Sequence, residues 1–196
     1  MKITPAPLPG VIILEPLRHE DERGVFAETF RLSEIASLGF ADGFLQENTA
    51  SSRKALTLRG LHFQTAPAAQ AKLVRVVRGT VFDAVVDLRE GSPTFGRSFC
   101  LELSAANWRQ LLVPQGFAHG YLTLEADTEV NYKVSAPYSR GHEGGLLWSD
   151  PELGIPWPAD PQEIIVNDRD RAWPPLAAFR PGADEGSGAD ARLGTG

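Results

Sequence analysis

Alternating hydrophobic and polar residues dominate the middle of this sequence and predict β-strands. The segments that carry the alternation are rich in β-branched residues, and Gly or Pro separates them, as is typical where strands end. They are residues 10–16, 58–64, 72–79, 80–89, 97–104, 109–124 and 128–138. Many short strands with a turn every ten or so residues are typical of a sandwich or barrel. We therefore expect an all-β fold.

One helix is predicted before the main run of strands. Ser33 is a candidate N-cap, Ile35 and Leu38 supply an apolar face, and Gly39 can end the helix. Two polar segments, 21–26 and 44–52, predict either ordinary loops or a lid that faces a ligand.

The C-terminal third has a different composition. Residues 150–162 are rich in Pro and Trp and cannot form a regular strand throughout, whereas 164–176 can begin as a short strand. Residues 181–196 contain mainly Gly, Asp and Ala, with little to bury, and predict a disordered tail. We expect a single domain over residues 1–180.

Charge and cysteine content narrow the classes of function. A net charge of −6 argues against nucleic-acid binding, which requires a basic surface, but it leaves room for an anionic small ligand held by a few local cations. The single cysteine, Cys100, lies in an apolar run and is expected to be a buried small side chain. No apolar run reaches membrane-spanning length, so we expect no membrane association and a cytoplasmic location.

The strand periodicity places three polar side chains on faces that also carry apolar residues. His62 shares a face with Gly60 and Gln64, Lys72 shares one with Val74 and Val76, and Asp83 shares one with Val81 and Val85. Polar groups that project into a barrel interior would line a ligand cavity. At this point His62 is a candidate base, a candidate metal ligand or an ordinary packed histidine.

The distribution of histidines argues against a metal site. His119, between Gly116 and Gly120, and His62 are the inward candidates, and a His-x-His pair is missing from the sequence. We therefore predict no metal.

Several longer motifs resemble one enzyme family. They are DERGVFAETF (21–30), QENTASS (46–52), LRGLHFQ (58–64), KLVRVVRGTVFDAVVDLREGSPTFG (72–96), LLVPQGFAHGYLTL (111–124), VNYKVSAPY (130–138) and WSDPELGIPWP (148–158). In order and together they resemble the dTDP-4-dehydrorhamnose 3,5-epimerases, cupin-type enzymes of nucleotide-sugar metabolism. The resemblance extends over nearly the whole chain apart from its tail.

The resemblance implies a homodimeric cupin jelly-roll barrel with a few short helices that works without a metal or other cofactor. The implied substrate is dTDP-4-dehydro-6-deoxy-D-glucose. The implied reaction inverts C3 and C5 through an enolate next to the C4 ketone and gives dTDP-4-dehydro-L-rhamnose, on the route to dTDP-L-rhamnose.

The resemblance also implies roles for individual residues. His62 is similar to the family's base, Tyr132 to its acid, and Lys72 to the lysine beside the keto oxygen. Asp170 resembles the carboxylate that orients the base, although Asp168 lies two residues away and the family's usual Ser-x-Lys-Asp is Asn-Asp-Arg-Asp at 167–170. The implied substrate-binding residues are Arg23 and Arg59 for the diphosphate, Glu28, Gln46, Asn48 and Tyr138 for the nucleotide, and His119 with Asp83 near the sugar.

Three alternatives remain open from the sequence. One is a related epimerase that inverts a single carbon, and the second is a non-catalytic cupin that senses a nucleotide or sugar. The third is a metal-dependent cupin, which the missing His-x-His pair disfavours. For the dimer, the N-terminal strand that ends at Pro16 is a candidate to extend a partner's sheet edge.

Overall fold

Two antiparallel β-sheets packed face to face make up most of the computed structural model, which describes residues 1–41 and 43–180. The six-stranded sheet has the order β1 (Lys2–Pro5), β2 (Ile12–Glu15), β10 (Gln110–Val113), β7 (Lys72–Arg78), β12 (Thr128–Val134) and β5 (Gln46–Ser52). The five-stranded sheet has the order β13 (Glu143–Gly145), β6 (Leu58–Gln64), β11 (Phe117–Thr123), β8 (Thr80–Asp87) and β9 (Ser98–Ser104). A separate hairpin joins β3 (Arg18–Asp21) to β4 (Gly24–Ala27). The predicted all-β jelly-roll fold is confirmed.

The space between the sheets holds the main hydrophobic core, and the strand alternation predicted its members for β7 and β8. Val74 and Val76 of β7 pack there with Val81 and Val85 of β8, and Phe117 of β11 joins them. Alternate residues of the same strands face outward. Lys72 and Asp83 therefore lie on the inward faces of β7 and β8, as the alternation predicted.

The outer face of the six-stranded sheet is covered by α1 (Leu32–Ser37). Ile35 of this helix is fully buried against Leu73 and Leu112. The prediction that Ser33 caps the helix is wrong: the N-cap is Arg31, without a side-chain hydrogen bond, and Ser33 lies inside the helix. A buried apolar face stabilises this short helix in place of a cap.

The C-terminal segment covers the outer face of the five-stranded sheet. Leu146, Leu153 and Leu176 pack against Leu61 and Ala118. Residues 150–162 form turns and one 3₁₀ helix, as their composition predicted, and the suggested strand near 164 is reduced to a single bridge between residues 57 and 165.

Short helices complete the described chain. They are α2 (Asp168–Arg171) and the 3₁₀ helices Arg140–His142, Pro151–Leu153 and Leu176–Ala178. Within residues 1–41 and 43–180, no helix combines the length and apolar character needed to cross a bilayer. The tail prediction for 181–196 lies outside the described residues.

Three polar or edge segments differ from the sequence prediction. Residues 46–52 form the edge strand β5, with alternating half-buried and exposed positions, and are not a loop or lid. Residues 21–26 lie in the β3–β4 hairpin. The strand ending near Pro16 does not lie at a sheet edge, because β1 pairs with it and takes the edge position.

A β-bulge in β6 changes the direction of its side chains. His119 of β11 is opposite His62, but Tyr121 is opposite Arg59, so a step of two residues on β11 faces a step of three on β6. The extra residue brings Arg59 and His62 to the same side of the sheet, which strict alternation would forbid. Gly60 at this point has φ +135°, and a Cβ there would lie 2.5 Å from Gly120 Cα.

Replacement of Gly60 by alanine is expected to destabilise the fold strongly, because it adds both backbone strain and a clash with Gly120. Gly91→Ala is the matched control, since Gly91 also has positive φ (+71°) but no atom lies within 4 Å of the point that a Cβ would occupy there. We expect a loss of about 1 kcal/mol in unfolding free energy for G91A and more than about 3 kcal/mol for G60A, measured by urea denaturation. Equal losses in the two variants would contradict the close packing of β6 on β11.

Candidate active site

A cavity of about 430 Å³ lies between the two sheets and is closed on one side by the segment around α2. Strands β5, β6, β7, β11 and β12 all contribute side chains to it. The predicted site residues that line it are Gln46, Asn48, Arg59, His62, Lys72, His119, Tyr132, Tyr138 and Asp170.

His62 and Asp170 form a hydrogen-bonded pair inside this cavity. His62 Nε2 lies 2.8 Å from Asp170 Oδ1, and the two residues are 108 positions apart in the sequence. The imidazole is 23% exposed, whereas the carboxylate is 1% exposed. A carboxylate on Nε2 favours the tautomer that carries its proton there, so Nδ1 is the nitrogen with a free lone pair.

The surroundings of Asp170 keep it ionised despite its burial. Burial alone would raise its pKa, but hydrogen bonds from His62 and from the Gly60 amide, together with the charge of Arg169, hold the pKa of Asp170 below its usual range. Asn167 caps α2 by accepting a hydrogen bond from the Asp170 amide at 2.7 Å, which fixes the position of the carboxylate. Asp168 is exposed, so Asp170 is the residue placed against His62.

Lys72 lies at the start of β7 and is buried in the same cavity. Its Nζ donates to the backbone oxygen of His62 at 3.1 Å. Burial lowers the pKa of Lys72 to about 8, and the negative charges of Asp83 and Glu143 partly offset that effect. At pH 7, below that value, the ammonium form prevails.

A second histidine–carboxylate pair lies on the neighbouring strands. His119 Nε2 is 2.9 Å from Asp83 Oδ2 and 3.1 Å from Oδ1, and both side chains are buried. The predicted polar pair is therefore present, with His119 lining the cavity and Asp83 supporting it from β8.

Two tyrosines contribute hydroxyl groups to the cavity. Tyr132 is half-buried on β12, and burial raises its pKa although the charge of Arg59 acts in the opposite direction. Tyr121 on β11 is 5% exposed. Both side chains remain protonated at neutral pH and can donate a proton or a hydrogen bond.

The mouth of the cavity is formed by a chain of polar contacts. Tyr138 donates from its hydroxyl to Glu143 at 2.9 Å, and Arg169 pairs with the same carboxylate at 2.9 Å. Gln46 donates to Asn48 at 2.7 Å and accepts from the Tyr138 amide at 3.1 Å. Tyr138 is about half exposed, so an aromatic face is available at this entrance.

Two predicted site residues lie outside the cavity of this chain. Arg23 is at the turn of the β3–β4 hairpin, with an 84% exposed side chain that pairs with Asp21. Glu28 follows the hairpin and pairs with Arg31 at 2.9 Å.

Comparison with known proteins agrees with this geometry. The family model described as dTDP-4-dehydrorhamnose 3,5-epimerase matches residues 5–178. A dTDP-4-dehydrorhamnose 3,5-epimerase of Sinorhizobium fredii is 46% identical over 166 residues, covering 85% of this chain and 85% of the relative. The chain belongs to this epimerase family.

Solved structures of similar proteins support the same assignment. A dTDP-4-dehydrorhamnose 3,5-epimerase from Bacillus anthracis, with TDP and PPi bound, is 46% identical with a TM-score of 0.85, covering 89% of this chain and 99% of that chain. An epimerase from Legionella pneumophila, in complex with dTDP-4-keto-L-rhamnose, is 38% identical with a TM-score of 0.86, covering 91% of this chain and 94% of that chain.

Several residues that line the cavity of this epimerase-family chain were not predicted from the sequence. They are Gln70, Tyr121, Glu143, Asn167 and Arg169. Tyr121 follows His119 by two residues on a strand, so the alternation already implied a shared face. Glu143 begins the three-residue strand β13 and Asn167 caps the four-residue helix α2, and both elements are too short to give a periodic signal.

The arrangement suits proton transfer at carbon. It combines a histidine oriented by a buried carboxylate, a lysine ammonium and a protonated tyrosine in one cavity. Such groups supply a base, a stabiliser for a developing negative charge and an acid. Among the described residues, no group of three or more His, Cys, Asp or Glu side chains is positioned to hold a metal ion.

Substitution of Asp83 is expected to change the titration of Lys72. In Asp83→Asn the pKa of Lys72 should fall below the value of about 8 in the parent protein, because the largest favourable charge near the ammonium is removed. Glu143→Gln should lower it less. NMR titration of the lysine side-chain signals measures both shifts. A rise in the Lys72 pKa in D83N would contradict the arrangement.

Proposed function

We propose that this chain converts dTDP-4-dehydro-6-deoxy-D-glucose to dTDP-4-dehydro-L-rhamnose by inverting C3 and C5, as a step of dTDP-L-rhamnose biosynthesis. The observation that carries the proposal is the His62–Asp170 pair in a cavity shared with Lys72 and Tyr132. Membership of the epimerase family supports the choice of substrate, since relatives of this chain carry the name of that activity.

The first chemical step is removal of a proton from carbon. A hydrogen on C3 or C5 is acidified by the adjacent C4 ketone, and its removal gives an enolate. The neutral imidazole of His62 accepts the proton at Nδ1, because Nε2 is engaged by Asp170 at 2.8 Å. The ionised Asp170 then stabilises the imidazolium that forms.

Lys72 stabilises the enolate. Its ammonium is held by the His62 carbonyl, a neutral acceptor, so its charge is available to the oxygen of the ketone. Charge develops on that oxygen as the proton leaves, so the ammonium stabilises the intermediate more than the ketone.

Tyr132 completes the inversion. Reprotonation must come from the face of the ring opposite to the base, and a protonated tyrosine is an acid that can supply it. Tyr132 lies on β12 of the six-stranded sheet, whereas His62 lies on β6 of the five-stranded sheet, so the acid and the base come from facing sheets.

The remaining cavity residues would bind the rest of the substrate. Arg59 provides a guanidinium for the diphosphate, which arginine can hold bidentately. Gln46, Asn48 and Tyr138 at the mouth suit the nucleotide, and His119 supported by Asp83 suits the sugar.

We infer that two copies of the chain form the working enzyme. Arg23 and Glu28 do not reach their own cavity, and the hairpin that carries Arg23 exposes Val25 at 42% and Phe26 at 72%. The edge strand β1 adds an exposed Ile3 at 45% and a free row of backbone groups. A homodimer that covers these surfaces would let one protomer's hairpin supply Arg23 to its partner's cavity. The cytoplasmic location stays a prediction.

Deuterium incorporation tests the proposed activity. Incubation of the wild-type protein with dTDP-4-dehydro-6-deoxy-D-glucose in deuterated water should place deuterium at both C3 and C5, which NMR detects. Addition of a matching reductase should then yield dTDP-L-rhamnose. His62→Ala should slow exchange at both carbons by at least about 100-fold. Exchange at one carbon only would identify a single-carbon epimerase, and undiminished exchange in H62A would remove His62 from the role of base.

The two neighbouring aspartates provide a matched pair for the same assay. Asp170→Asn should lower the exchange rate by roughly 100- to 10,000-fold, because the imidazolium loses its carboxylate. Asp168→Asn makes the same type of substitution two residues away, at an exposed position, and its exchange rate should stay within about twofold of wild type. Comparable rates in the two variants would contradict the orienting role of Asp170.

Mixed dimers test the contribution of the hairpin. Arg23→Ala and His62→Ala should each be weakly active alone. After equal amounts are mixed and allowed to exchange subunits, activity should rise to about one quarter of wild type, because half of the dimers then contain one intact cavity out of two. A mixture no more active than the separate variants would place Arg23 outside the partner's site.

A further inference from the structure

The hydroxyl of Tyr121 is the unexplained polar group of the cavity. The side chain is 5% exposed, its ring belongs to the core between the sheets, and it lines the cavity beside His62 and Tyr132. Within residues 1–41 and 43–180 its hydroxyl has no hydrogen-bond partner. Buried hydroxyl groups are nearly always hydrogen-bonded, so an unpartnered hydroxyl on a side chain that lines a cavity points to a ligand.

The polar neighbours of Tyr121 already have hydrogen-bond partners of their own. Tyr121 is paired across β11 with Arg59 on one side and Asp83 on the other. Asp83 accepts from His119 through both oxygens, and Arg59 donates to the Ser51 carbonyl at 3.2 Å. The tyrosine hydroxyl is therefore left for a group that enters the cavity.

The hydroxyl is a donor. Burial raises the pKa of Tyr121 well above its ordinary value, although the charge of Arg59 opposes the shift. A neutral phenol at all physiological pH values donates one hydrogen bond, and the acceptors on a nucleotide sugar are its oxygens.

We propose that Tyr121 is a further substrate-binding residue, which donates a hydrogen bond to an oxygen of the hexose unit. The position favours the hexose over the diphosphate. The ring centre of Tyr121 lies 6.4 Å from that of His119, and Tyr132 packs against the same core as Tyr121, whereas Arg59 is an exposed residue. This inference rests on the proposed function and adds to it a contact that selects for the sugar.

Binding of two ligands to Tyr121→Phe tests the inference. The ligands are dTDP and dTDP-glucose, which carries a hexose but has no ketone and is not epimerised. Calorimetry should show dTDP-glucose binding about tenfold weaker in Y121F than in wild type, and dTDP binding within about twofold. The ligand-free variant should melt at the same or a higher temperature, because an unpaired buried hydroxyl has been removed.

Tyr138→Phe is the matched variant. It removes a hydroxyl from the same cavity, but one that is bonded to Glu143 at the mouth, so it should change the affinities for dTDP and dTDP-glucose by the same factor. The ratio of the two affinities should therefore change in Y121F and not in Y138F.

Three results would overturn the inference. The first is unchanged dTDP-glucose binding in Y121F. The second is an equal loss of affinity for both ligands, which would place the contact on the diphosphate. The third is a lower melting temperature of the ligand-free variant, which would indicate an internal hydrogen bond. Failure of the proposed function is distinguishable, since it would appear in the wild-type protein as an absence of deuterium incorporation from the keto sugar whatever the effect of Y121F.

Discussion

The contact between His62 and Asp170 is the interaction on which the site depends. It joins a strand of the five-stranded sheet to a four-residue helix more than a hundred residues later. A fully buried carboxylate is unfavourable unless it is paired and hydrogen-bonded, and Asp170 meets that condition through the imidazole and the Gly60 amide. The same contact that stabilises the C-terminal segment against the sheet therefore sets the tautomer of His62, the base in the proposed mechanism.

The bulge in β6 explains how this strand serves two functions. The strand brings His62 and Arg59 to one cavity while Leu61 packs against the C-terminal segment on the other side. The extra residue at Gly60 turns the side chains of Arg59 and His62 to the same side of the sheet. The close contact between Gly60 and Gly120 is possible because neither glycine has a side chain. The position of Arg59 at the cavity is thus a consequence of backbone packing between two glycines.

These features mark the limit of what the sequence could predict. Regular alternation predicted the inward faces of β7 and β8, and with them Lys72 and Asp83, because each strand buries one face in the common core. Strict alternation cannot bring Arg59 and His62 to one side of β6, and the bulge that does so has no signal in the sequence because it depends on the contact with a distant strand. The cap of α1 was misplaced for a related reason, since burial of Ile35 and not a local hydrogen bond fixes that helix.

The position of Lys72 shows how the strands coordinate the chemistry. A buried lysine is usually paired with a carboxylate, which would neutralise the charge that catalysis requires. Lys72 instead donates to the backbone carbonyl of His62, while the side chain of His62 is directed to Asp170. His62 thus contacts both groups, since its side chain is bonded to Asp170 and its backbone oxygen accepts from Lys72. Burial lowers the pKa of Lys72 to about 8, and in the proposed mechanism an enolate oxygen that forms beside the ammonium would offset that unfavourable burial. Since no carboxylate is hydrogen-bonded to Lys72 within residues 1–41 and 43–180, the proposed mechanism has the ammonium stabilise the intermediate more than the ketone and so lower the barrier to proton removal.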